Sequence, residues 1–142
     1  MAGTCFLNAS FWSPFRKRLL ILLLVLIPAG FASKFYGGPF RTYVNDSLGG
    51  VLYVLFWIWL FAFLLPRANG GTIALAVLAV TCGLEFLQLC HPPFLESIRS
   101  CFMGRTLIGN SFAWLDIPHY FLGAAIGYAI LRLLRPAGLC GE

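Results

Sequence analysis

Few side chains in this 142-residue sequence could do chemistry, and most stand in its second half. Glu85 and Gln88 are three apart in Thr81-Cys82-Gly83-Leu84-Glu85-Phe86-Leu87-Gln88-Leu89-Cys90, the end of an apolar run that begins near Thr72. At 100° per helical residue, Thr81, Glu85 and Gln88 share one face. Asp116 and His119 repeat the three-residue spacing, with Arg99 and Arg105 between the two pairs. Glu85 with His119 or Asp116 could form an acid–base pair, and the three together could in principle hold a metal. No nucleophile is evident, however, and three ligands from distant stretches are a weak metal signal. No metal or other cofactor is therefore expected. The firmer inference is energetic. An ionisable group inside a bilayer costs about 2.5–3.5 kcal/mol on the mildest scale, so it needs a partner or a water-filled cavity.

The composition makes a bilayer the setting. Hydrophobic residues make up 60% of the chain and charged ones 11%, against about 25% charged in soluble domains. Mean hydropathy is +0.86. These values indicate an all-α integral membrane bundle with no room for a soluble catalytic domain. The net charge of +5 fits anionic headgroups better than nucleic acid, for which no binding module is present. The five cysteines form no Cys-x-x-Cys pair. Cys90 and Cys101 could form a disulfide, but free thiols behaving as small apolar residues are the expected state.

Four spans are predicted, at about 19–36, 48–65, 72–90 and 118–134, between a basic leader (1–18) and a tail (135–142). Arg16-Lys17-Arg18 precedes the first span. The apolar stretch 19–32, with Pro28 and Gly30-Phe31-Ala32, also has the layout of a cleavable signal, the lesser reading. Gly37-Gly38-Pro39 is turn chemistry, and Asn45-Asp46-Ser47 reads as a helix cap. Asn69-Gly70-Gly71 reads as a tight turn. His91-Pro92-Pro93 breaks the third helix, after which Phe94, Leu95, Ile98 and Phe102 share one face of a short interfacial helix. Asp116-Ile117-Pro118 opens the fourth span with an aspartate cap and a first-turn proline. Gly123 and Gly127 give that span a small face for close helix packing. Six basic residues (Arg16, Lys17, Arg18, Arg67, Arg132, Arg135) against four (Lys34, Arg41, Arg99, Arg105) place both termini in the cytoplasm.

In that topology Glu85, five residues before Cys90, lies roughly 7–8 Å below the outer end of its helix. Tyr36, Arg41, Tyr43, Asn45, Asp46, Gln88, His91, Arg99, Arg105, Asp116 and His119 can gather on the same side. The expected site is an outward polar pocket of Glu85, Gln88, Arg99, Arg105, Asp116, Asp46, Arg41 and His119. Duller roles compete: Asp46 and Asp116 as caps, Arg99 paired with Glu96, Gln88 as an interhelical hydrogen bonder, the histidines as interfacial residues. Glu85 is expected to meet Arg99 or Arg105, or else to stay protonated. Trp57, Trp59 and Trp114 read as packing and interface residues.

Glu85-x-x-Gln88, then Asp116 and Gly123-x-x-x-Gly127, resembles the VanZ-like membrane proteins, whose aspartate stands seven residues before the first glycine, as here. The chain departs from them at Tyr120, where that family usually has asparagine, and in a longer gap between its arginines and Asp116. A closer resemblance is to small bacterial membrane proteins classed as a domain of unknown function. It rests on Lys34-Phe35-Tyr36-Gly37-Gly38-Pro39, Val44-Asn45-Asp46-Ser47-Leu48-Gly49-Gly50, Glu85-Phe86-Leu87-Gln88, His91-Pro92-Pro93-Phe94-Leu95, Gly104-Arg105 and Phe112-x-Trp114-x-Asp116, over about residues 34–131. It implies a four-helix protein of the bacterial inner membrane and no particular activity. The functional expectation is a protein that binds a lipid headgroup, an envelope precursor or a small polar ligand. An accessory subunit of a larger membrane complex is the alternative, with the small face of the fourth span as docking surface. An intramembrane enzyme is the third. The expected partners are membrane lipids, with an envelope lipid precursor or other membrane subunits as further candidates, and no nucleic acid.

Overall fold

The computed structural model describes residues 13–89, 93–101 and 114–135, apart from the side chains of Thr42, Asp46, Leu95 and Arg99. The first helix, α1 (Pro14–Phe35), starts earlier than hydropathy alone requires. Ser13 caps it by accepting from the Arg16 N–H at 3.4 Å, and Pro14 fits the first turn, where its missing N–H does no harm. The helix runs on past Pro28 to Phe35. Leu19, Leu23 and Leu26 are buried in the bundle core, so α1 is a working stave of the bundle.

The second span corrects a boundary. Asn45-Asp46-Ser47 does not cap a helix. The helical run begins earlier, at α2 (Arg41–Tyr43), and widens into a π turn over Val44–Leu48. It then continues as α3 (Gly49–Leu64). The chain enters through Phe40 in a left-handed conformation, φ 62°. A π turn displaces carbonyls from the regular ladder, and here another helix takes one up: Lys34 Nζ of α1 donates to the Asn45 carbonyl at 2.8 Å. With its amide turned to suit its neighbours, Asn45 also donates to the carbonyls of Ser33 and Arg41. These bonds tie the end of α1 to the wide turn.

The fourth helix, α4 (Gly70–Leu87), is capped by Asn69, whose side-chain oxygen accepts from the Gly71 N–H at 2.8 Å. Asn69-Gly70-Gly71 is thus a helix start rather than a free turn. A short helix, α5 (Pro93–Arg99), stands where the interfacial helix is predicted. The last helix, α6 (Asp116–Leu134), is preceded by Leu115, with no side-chain cap. Asp116 therefore does not cap. It lies in the first turn, where a carboxylate faces the positive end of the helix dipole. The possible Cys90–Cys101 pairing and the roles of His91, Phe102 and Arg105 fall outside the described residues.

Helix α6 packs against both α3 and α4, and α1 packs against α3. Glycine makes the central contact possible. A Cβ on Gly123 would lie 3.0 Å from the Val51 carbonyl oxygen, and one on Gly127 would lie 3.0 Å from Ile58 Cδ1. The small-residue face therefore packs as predicted, but against α3 of the same chain. It is not an open docking surface. Large apolar side chains such as Val25, Leu75 and Leu133 point outward, as suits hydrocarbon surroundings. Among the described residues three helices (α1, α4 and α6) are long and apolar enough to cross a membrane. The shorter apolar α3 has 16 residues and is prolonged by the wide turn. The chain is an all-α, multi-pass membrane protein, with four substantial helices among the described residues.

Candidate functional site

Thr81, Glu85 and Gln88 are all buried on one face of α4, as the spacing requires. The Thr81 hydroxyl is used locally, donating to the Val77 carbonyl at 2.8 Å. Glu85 is 1% exposed. Its Oε2 accepts from the Tyr120 hydroxyl of α6 at 2.7 Å and from Gln88 Nε2 at 3.4 Å. The carboxyl thus ties two helices across the interior, and the short bond from Tyr120 is the stronger of the two.

Neighbouring elements make room for this bond. Gly50 of α3 faces Tyr120, and a Cβ there would lie 2.9 Å from Tyr120 Cε1. Asp116 stands one turn before Tyr120, half-buried. His119 also faces the second span: its Nδ1 is 2.6 Å from the Leu115 carbonyl and its Nε2 is 3.3 Å from the Tyr43 hydroxyl. A carbonyl only accepts, so Nδ1 carries the proton. In the neutral ring Nε2 then accepts from Tyr43, and both nitrogens are engaged. Among the described residues no group of three His, Cys, Asp or Glu could hold a metal ion.

The structure brings Glu85 and Gln88 together and places Asp116 and His119 at the same end of the bundle. Arg41 is there too, exposed at the start of α2. The side chains of Asp46 and Arg99, and all of Arg105, lie outside the described residues, so the expected arginine partner of Glu85 does too. Two of the tryptophans pack, Trp59 being buried and Trp57 stacking on Phe61 and meeting Tyr53 edge-on, whereas Trp114 is largely exposed and lies edge-on to Phe86.

Sequence reasoning missed Tyr120. Its signal was available, because Tyr120 is three residues before Gly123 and seven before Gly127, the face that turns inward. A tyrosine on the small-residue face must find its hydroxyl a partner among the other helices. Gly50, which leaves room for the ring, was missed for the same reason.

The signature of a protein family of unknown function, DUF2809, matches residues 40–124. The match covers the π turn, α3, α4 and the part of α6 that carries Asp116, Tyr120 and Gly123. The chain belongs to this family. No solved structure matches it significantly.

Proposed function

We propose that this protein binds the polar head of a lipid, an envelope precursor or a small polar ligand at the Glu85 end of its bundle. The observation that carries the reading is the fully buried Glu85 carboxyl, held by Tyr120 and Gln88. Stability does not demand such a group, since apolar side chains of similar volume can replace buried polar ties without loss. In a membrane interior an ionisable residue is by default a candidate for function. Around it stand the Tyr43–His119 pair, Asp116 and Arg41. Arg41, Arg99 and Arg105 would meet an anionic group, and Glu85 and Asp116 would orient them. The VanZ-like arrangement of Glu85, Gln88, Asp116 and Gly123 is a likeness of motif that supports a membrane role. In the orientation favoured by the basic residues, with both termini in the cytoplasm, this end faces outward from a bacterial inner membrane.

The test is mass spectrometry of amphiphiles that stay with the protein when it is purified from native membranes. Wild type should carry a defined species that Arg105→Ala loses and Tyr120→Phe holds less well. Equal retention by wild type and Arg105→Ala would sink the reading. The accessory-subunit alternative has lost its expected docking face to α3.

A further inference from the structure

A second feature runs along the bundle and has its mouth at the end opposite Glu85. Between α3 and α4 runs a groove of about 610 Å³, walled by Trp57, Phe61 and Leu65 on one side and Ala76, Val80 and Leu84 on the other. Thr81 also lines it, but with its hydroxyl spent on Val77. From the level of Thr72 to that of Leu84 the groove is about 18 Å long. A helix about 10 Å across would need more than twice the volume over that length. At about 30 Å³ for a group the size of a water molecule, the groove holds roughly twenty such groups, the bulk of one long alkyl chain.

The mouth of the groove is charged. Ala68 lines it, and the Ala68 carbonyl accepts from Arg135 Nη2 at 2.6 Å. The same guanidinium lies 5.6 Å over the Phe15 ring, which fixes it at the mouth. Arg67, next to Ala68, is exposed, as is Arg132 in the last turn of α6. With Arg16, Lys17 and Arg18 at the start of α1, six cations crowd this end. The described acidic residues (Asp46, Glu85, Glu96 and Asp116) all belong to the other end.

From this juxtaposition we infer that the groove between α3 and α4 is a site for an anionic phospholipid. One acyl chain lies along the groove, and the phosphate meets Arg67 and Arg135 at its mouth. Charge selects the headgroup, and the narrow apolar wall selects a single flexible chain over a helix.

Native mass spectrometry of the full-length protein, delipidated in detergent, tests this with added dioleoylphosphatidylglycerol and dioleoylphosphatidylcholine. Wild type should retain phosphatidylglycerol about tenfold better, as expected for one or two surface cations at the phosphate. Arg67→Gln should lower that preference about fivefold while leaving phosphatidylcholine retention alone. Ala76→Trp fills the groove from an exposed position and should reduce retention of both lipids, with Val80→Trp as a second filling variant should the first fail to fold. Arg67→Gln and Ala76→Trp should leave unchanged the species that co-purifies from native membranes and depends on Arg105, so this site and the Glu85 site fail separately. Equal retention of the two lipids by wild type, or full retention by a folded groove-filled variant, would overturn the inference. So would displacement of a stoichiometric protein subunit by Ala76→Trp with lipid retention unchanged.

Discussion

The two ends of this bundle solve the same problem in opposite ways. At the Glu85 end the carboxyl is taken inside and answered by Tyr120 and Gln88, while the exposed Tyr43 and Lys34 are answered by His119 and the Asn45 carbonyl. At the Arg135 end, charges stay at the rim, where guanidinium planes lie over Phe63 (Arg16) and Phe15 (Arg135). The first arrangement sets the positions of helices against one another. The second leaves cationic charge for an anionic surface to neutralise. Where polarity sits along a membrane helix therefore decides whether it organises the fold or recruits surroundings.

Several substitutions would break or sharpen this contrast. The largest effect belongs to Gly123→Leu, because the new side chain would meet the Val51 backbone, which cannot step aside. It should cost about 3 kcal/mol or more through overpacking and disrupt both ends together in detergent melting experiments. Next comes the Glu85–Tyr120 tie. Glu85→Leu strands a buried hydroxyl and should cost about 1–3 kcal/mol. The pair Glu85→Leu/Tyr120→Phe should recover much of that loss, with a coupling of about 1 kcal/mol in a double-mutant cycle. Strict additivity would show that the bond does not hold the helices.

Arg135→Ala removes the bond to Ala68 and the contact with Phe15. It should lower stability by about 1 kcal/mol without altering side-chain accessibility near Glu85, as read by chemical labelling. The smallest effect is expected for the exposed Lys34→Met, about 0.5 kcal/mol. Its signature is local: faster amide exchange over 44–48, with the far end unchanged.

Much of this contrast was legible in the sequence, but unevenly. The four apolar runs, the shared face of Thr81, Glu85 and Gln88, and the close-packing glycines followed from helical periodicity and side-chain size. The start of the second helical run did not. Asn45-Asp46-Ser47 has the residue types of a cap, yet a cap is defined by backbone angles, and Lys34 of another helix supports the continuous turn there. Asp116 misled for the same reason, being one residue inside the helix rather than at its threshold. Charge is visible in a sequence, so Arg99 and Arg105 were expected beside Glu85; the Arg99 side chain and Arg105 lie outside the described residues, and the partner those residues do show is Tyr120. A tyrosine hydroxyl 35 residues downstream becomes visible only when α6 is docked between α3 and α4.

That separation bears on how the molecule is made. Residues 85 and 120 leave the ribosome about 2–7 s apart at 5–20 residues per second, so α4 emerges before Tyr120 does. Until α6 arrives, Glu85 lacks the Tyr120 bond, while Gln88 of its own helix is already at hand. The newborn hairpin of α3 and α4 is therefore least at home in lipid just before α6 emerges, and the arrival of one phenol closes that interval.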